Sequence, residues 1–374
     1  MIQGVVDLLM ESRRPIFIWG AGIRLYQHEA LALARHLDIP VACTWGAIDL
    51  MRHDDPLMCG GFGTHGTRAA NFAVQNADLV ISIGSRLDTK ATGQPAHFAR
   101  GAKIVMVDID AAELGKFDQL GRHIDIPLQI DAGRFIAALR EGSGLVTQRT
   151  AWLARIHEWR QRYDEPEVTW EGVNPYKLMR EIGKWTTAKD TIVSDTGTVL
   201  GYLMKSFPFK GERFIHAFNM TPMGYGLPAS IGASLATGHR VVCVTGDGSI
   251  MMSLPELATI KRWDLNIKVI LLNNHGHRMC VQTENQWFNS VNASTTPESG
   301  LGFPDFQKTA SAFGIRNAET LQSIFETSGP AFMEIEIPTD AYLIPQCRFG
   351  APLEDGEPLL PRDEFRNQMI IRPL

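Results

Sequence analysis

Apolar and polar positions along this chain alternate between two periods. Short runs of β-branched and other apolar side chains, at residues 15–19, 39–43, 78–83, 103–107, 191–193, 241–245, 267–272 and 331–335, read as buried strands. Between several of them lie stretches with one apolar face at helical spacing, at 5–10, 30–37, 152–163, 175–185 and 306–313. Most of the strand runs stop at glycine, aspartate or asparagine. Strand and helix taking turns in this way predict an α/β protein with two doubly wound parallel-sheet domains, each sheet covered by helices on both faces. The expected boundaries are a nucleotide-binding-like domain over 1–145, a linker over 146–173, a second domain over 174–345 and an ordered extension over 346–374 that packs on a neighbour. A helix break at Glu141 to Gly144 and the polar run Asp164 to Glu167 mark the linker.

The stretch from Val241 to Asn274 organises the second domain. Its first strand stops at Gly246-Asp247-Gly248, where a loop is expected. Ser253 and Glu256 have the spacing of a capping box, with Pro255 near the first helical position, so a helix follows. A second strand then ends at Asn273-Asn274. Both strands of a right-handed crossover end on one edge of the sheet, which brings Asp247 and Asn274 together across 27 positions of sequence. A carboxylate and an amide oxygen facing one crevice suit a hard cation such as Mg2+, completed by phosphate oxygens. Gly248 and Ser249 offer backbone N–H groups to a diphosphate at a helix start.

Composition narrows the classes. Hydrophobic residues at 44% and charged residues at 21% are those of an ordinary globular protein, and 374 residues suffice for two cores. A net charge of −5 offers no basic stripe to nucleic acid, and no apolar run reaches the length of a membrane span. Without a basic, apolar, cleavable leader the expected location is cytoplasmic. The five cysteines, Cys43, Cys59, Cys243, Cys280 and Cys347, lack CxxC spacing and read as structural thiols. His275 and His277 have no cysteine or carboxylate at zinc-site spacing, which excludes zinc.

The GDG segment running to a terminal NN resembles the diphosphate-binding motif of thiamine diphosphate enzymes. The resemblance to the acetolactate synthase-like group covers nearly the whole chain, through the GTHGTRAAN, GSRLD, DIDAAELGK, TPMGYGLP and GLGFPDFQKTASAFGI runs and the PLEDGEPLLPRDEF tail. It implies that Asp247, Asn274 and the Gly276 carbonyl hold Mg2+. It also implies that Gly246, Gly248, Ser249 and the backbone N–H groups of His277, Arg278 and Met279 surround the diphosphate. Met223, the bulky residue in a stretch of small ones, is implied to prop the cofactor into the bent shape in which its pyrimidine amino group removes the thiazolium C2 proton. A plain core methionine is the alternative for that residue.

In the first domain, a DHS-like nucleotide-binding fold, the resemblance implies FAD. It nominates Gly63, His65, Gly66 and Thr67 near the pyrophosphate, Gly84, Arg86 and Asp88 near the adenosine end, and Asp108 at the ribose. Relatives keep this fold with another nucleotide or none, and a surface ion pair is the alternative for Arg86.

One departure concerns the strand ending at Ser194-Asp195-Thr196-Gly197. Acetolactate synthases carry Gln and His after that glycine, and this chain has Thr198 and Val199. Residues 282–302 are expected to form a lid, with Trp287 and Phe288 facing substrate or anchoring the loop. The pyrimidine-binding domain that supplies the activating glutamate in the family has no counterpart motif here. The expectation is therefore acetolactate synthase-like chemistry on a 2-oxo acid such as pyruvate, incomplete without a pyrimidine domain on a partner chain, in a homo-oligomer or such a pairing. The alternatives are a simple 2-oxo acid decarboxylase and a non-catalytic nucleotide-binding fragment.

Overall fold

A computed structural model describes all residues except 1, 145–148, 165, 167 and 219, so part of the expected linker lies outside the described residues. The chain divides into two compact units, residues 1–166 with 344–374, and residues 167–343.

The first unit is a six-stranded sheet of β1 (Pro15–Trp19), β2 (Val41–Cys43), β3 (Met58–Gly61), β4 (Leu79–Ile83), β5 (Lys103–Asp108) and β6 (Ile126–Gln129), in the order β3-β2-β1-β4-β5-β6. The second holds β7 (Thr191–Ser194), β8 (Arg213–Ile215), β9 (Val241–Gly246), β10 (Ile267–Asn273), β11 (Arg316–Asn317) and β12 (Ala331–Glu336), in the order β11-β12-β10-β9-β7-β8. Every neighbouring pair in both sheets is parallel, which bears out the doubly wound expectation. The central strands are buried along their whole length, as both-face coverage requires.

In such sheets strand order reverses at one place, and the crevice beyond the strand ends there is left open for ligands. That place is β1 with β4 in the first unit and β7 with β9 in the second.

The core of the first unit gathers Phe62, Phe72, Phe98 and Phe117 around the sheet. Helix Thr150–Tyr163, in the stretch expected to be linker, adds Trp152, Ile156 and Trp159 to this core. The C-terminal extension adds Cys347, Leu353 and Phe365. Glu354 of the extension is fully buried in an ion pair with Arg100 at 2.8 Å and also accepts from Gln75. The amide of Asn76 binds the extension from both ends, donating to the Gln368 carbonyl and accepting from the N–H groups of Ile370 and Ile371. Helix and extension are thus parts of the first unit.

Candidate functional site

Strand β9 delivers Asp247 to the sheet edge, and the chain turns into a helix at once. Asp247–Ile250 is helical directly after the strand, with no intervening loop. The expected capping box does not form: the next helix, Glu256–Arg262, starts after Pro255 with no side-chain cap, and the Ser253 hydroxyl is buried without a partner among the described residues.

Asp247 is 2% exposed. One carboxylate oxygen accepts from the Gly248 N–H at 2.6 Å, and the other from the N–H groups of Asn274 at 3.2 Å and Gly276 at 3.0 Å. Because Gly246 lies opposite Leu272 in the β9–β10 ladder, the two strand ends meet as the spacing predicts. Burial pushes the Asp247 carboxyl above the usual carboxylate range, against the pull of its three N–H donors. A cation at this position would relieve that desolvation.

A cavity of about 260 Å³ opens here, lined by residues 196–199 beyond β7 and 246–249 beyond β9, and by Thr221, Met223, Asn274, Gly276, His277, Arg278, Met279 and Cys280. It lies at the strand-order reversal of the second sheet, where a doubly wound fold leaves room for a ligand. Gly248 is needed for its shape. A Cβ there would lie 2.4 Å from His277 Nδ1 and 3.4 Å from the Met223 terminal methyl. Met223 itself is 37% exposed, so it is no core methionine.

Asp195, at the end of β7, is a site residue to which the sequence reading gave no role. It is 1% exposed and accepts from the N–H groups of Thr196, Gly224 and Gly226 at 2.9, 3.0 and 2.8 Å, so it fixes the turn that carries Met223. The Ser249 hydroxyl also hydrogen-bonds to it, which leaves only the Ser249 backbone for a ligand. The signal was present: Asp195, like Asp247, closes an apolar strand run two residues before a glycine or less. Thr198 and Val199 line the cavity with a hydroxyl and a small apolar group, so the departure noted in the sequence falls at the site itself.

The expectation for His277 and Arg278 changes. Their backbone N–H groups donate to Thr295 O and Gly276 O, both at 2.9 Å, and do not face a ligand. The N–H groups of Ser249 and Met279 have no partner among the described residues. His275 turns outward to Glu336 at 2.7 Å. The expected lid is divided: Arg278–Trp287 is helix, Thr295 to Ser299 form a turn against Gly276 and His277, and only Phe288 and Val291 between them are large exposed apolar side chains.

Among the described residues no group of three or more His, Cys, Asp or Glu is placed to hold a metal ion. One carboxylate with an amide and a carbonyl leaves half of an octahedral shell to the oxygens of a ligand and water. That donor set fits Mg2+ with a diphosphate and does not fit zinc.

In the first unit the nominated flavin residues divide into two groups. In the run from Gly61 to Thr67 the N–H groups of Gly63, Thr64, Gly66 and Thr67 donate to Asn71 Oδ1, Lys90 O, Gly63 O and Gly61 O. Thr67 caps helix Arg68–Gln75, and a Cβ on Gly66 would lie 2.6 Å from the Phe62 backbone. His65 stands against Trp45 and within 3.1 Å of Gln346. Asp88 caps helix Thr89–Thr92, Asp108 accepts from the Asp110 N–H, and Arg86 lies 3.9 Å from Glu113. Beyond β4 the picture differs. Gly84, at φ +62°, lets the turn after β4 pack on Gly22, and the N–H groups of Ser85 and Arg86 have no partner among the described residues. The Ser85–Arg86 turn thus keeps open N–H groups, whereas those of Gly63, Thr64, Gly66 and Thr67 are taken.

Comparison with known proteins agrees with this arrangement. Residues 2–139 match the family described as thiamine pyrophosphate enzyme, central domain, and residues 195–336 match thiamine pyrophosphate enzyme, C-terminal TPP binding domain. The chain is 32% identical over 367 residues to an acetolactate synthase large subunit of Cyanidium caldarium, covering 93% of the chain and 62% of that protein. It is 30% identical over 387 residues to acetolactate synthase isozyme 2 large subunit of Escherichia coli (strain K12), covering 99% and 66%. It is 31% identical over 379 residues to acetolactate synthase 1, chloroplastic, of Zea mays, covering 95% and 58%. The chain thus spans between 58% and 66% of the length of these relatives.

Proposed function

We infer that this chain, which belongs to the thiamine pyrophosphate enzyme family, carries the diphosphate- and metal-binding part of an acetolactate synthase-like enzyme. The observation that carries the reading is the cavity at the reversal of the second sheet, with one buried carboxylate gripping the turn at Asn274 and Gly276. Asp247, the Asn274 amide and the Gly276 carbonyl would hold Mg2+. The Ser249 and Met279 N–H groups would meet the phosphates, with Gly246 and Gly248 allowing their approach. Thiamine diphosphate, when bound, supplies the nucleophilic carbon and electron sink for decarboxylating a 2-oxo acid such as pyruvate and passing the acyl unit to a carbonyl acceptor. Met223, its turn fixed by Asp195, would hold the ring system bent above it. The cavity end near Val199 and Thr198 offers no charged side chain.

The partner reading is a pyrimidine-binding domain, within a longer polypeptide or on another chain. Its support is the exposed apolar rim of Phe218, Met220, Met251 and Met252 around Met223. For the first unit we propose FAD as a bound nucleotide, supported by the β1–β4 position and the open N–H groups of Ser85 and Arg86. A flavin absorption band after saturation with FAD would test it; neither binding nor thermal stabilisation would remove it. Among the described residues no helix is long and apolar enough to cross a membrane. The function is tested by supplying a separately made pyrimidine domain and measuring acetolactate and acetaldehyde from pyruvate. Acetolactate is the expected product, acetaldehyde alone would mean a decarboxylase, and no CO2 release in any combination would overturn the reading.

A further inference from the structure

We propose that the Arg278 guanidinium is a third source of positive charge for the cofactor's diphosphate, beside the metal ion and the open backbone N–H groups. The inference rests on the reading of this cavity as a diphosphate site. Arg278 lines the cavity, but its backbone N–H is committed to Gly276 O, so any contribution comes from the side chain. That side chain is folded over the metal turn. Nε donates to Asn274 O at 2.7 Å and Nη2 to His275 O at 3.1 Å, while a Cβ on Gly276 would lie 3.1 Å from Nε. The turn at Asn274 to Gly276 is therefore gripped from two sides, by the Asp247 carboxylate through its N–H groups and by Arg278 through its carbonyls.

Nη1 has no hydrogen-bond partner, and no carboxylate lies within ion-pair distance of Arg278, among the described residues. A permanent charge, oriented by two hydrogen bonds and with Glu298 as its acidic neighbour only beyond ion-pair distance, thus stands beside the site. Orientation before binding lowers the entropic cost of each new contact that a guanidinium makes. The ligand class this selects is a diphosphate ester, whose second phosphate brings the charge a monophosphate lacks.

The test is titration calorimetry of thiamine diphosphate and of thiamine monophosphate into the purified chain, R278Q and R278K over a range of Mg2+ concentrations, with a melting curve for each protein. R278Q is expected to bind the diphosphate roughly tenfold to a hundredfold more weakly and to need more Mg2+ for half-saturation. Its affinity for the monophosphate should change little, and R278K, which keeps the charge but loses the two orienting hydrogen bonds, should lose less diphosphate affinity than R278Q. Wild-type affinity in R278Q at limiting Mg2+ would overturn the proposal while leaving the cofactor reading intact. So would an equal loss for both phosphates, which marks a purely structural pin. If R278Q does not fold, R278K decides: a loss confined to the diphosphate supports the proposal, and an equal loss for both phosphates with an intact fold overturns it. Failure of the wild-type chain to bind thiamine diphosphate at any Mg2+ concentration would overturn the cavity reading and the proposal together.

Discussion

At Gly276 the difference between glycine and alanine is a contact of 2.6 Å between the added Cβ and the backbone oxygen of Thr295. A side-chain end could move aside, but a backbone oxygen held by the His277 N–H cannot do so without shifting the turn. Gly276→Ala should therefore displace the metal-facing carbonyl. Calorimetry should show cofactor affinity falling at least about tenfold, with a melting temperature lowered by only a few degrees. Asp195 shows the opposite balance. Removing its carboxylate leaves the N–H groups of Thr196, Gly224 and Gly226 buried and unpaired, so Asp195→Ala should cost about 3 kcal/mol in urea unfolding. A loss below roughly 1 kcal/mol would mean that water enters and replaces it. The aspartates at the two strand ends were equally visible in the sequence. Only Asp247 had a partner at a recognisable distance, and the role of Asp195 depends on a turn about thirty positions away that spacing does not reveal.

Within β10, Lys268 is 1% exposed and donates to the carbonyls of Thr327 and Gly329 at 2.6 and 2.5 Å. Burial, aided by the charge of Arg240, lowers its pKa from the ordinary 10.5 to about 8. Between those two values the folded chain binds fewer protons than the unfolded one, so this group's contribution to stability rises with pH across that window. Unfolding free energies of wild type and Lys268→Met, compared from pH 8 to 10.5, should diverge in favour of wild type. A constant difference would show that the folded lysine keeps its ordinary pKa, charged and reached by water. Strands were legible where the apolar run was long, as in β1, β4, β5, β9, β10 and β12. β3 carries two glycines, β6 a proline and β11 only two residues, so their pairing comes from the neighbouring strand and not from their own pattern. The capping box at Ser253 had the right local spacing, yet the helix starts after Pro255 with no side-chain cap, behind an earlier helical turn at Asp247–Ile250.

For the molecule as a whole, the extension at 344–374 is part of the first unit's core, which the polar and proline-rich composition of the tail concealed. Glu354→Ala would strand the largely buried Arg100, and should cost about 3–5 kcal/mol, seen as an earlier first transition in thermal unfolding. An unchanged transition would mean that the apolar contacts of Leu353 and Phe365 suffice. Everything proposed for function depends on whether the second unit binds thiamine diphosphate through Asp247. The direct measurement is titration calorimetry of thiamine diphosphate with Mg2+ into wild type and Asp247→Asn, a substitution that keeps the shape and one acceptor oxygen while removing the charge. Saturable, Mg2+-dependent binding by wild type and none by the variant, at comparable melting temperatures, is the predicted result; equal affinity in the two proteins would contradict it.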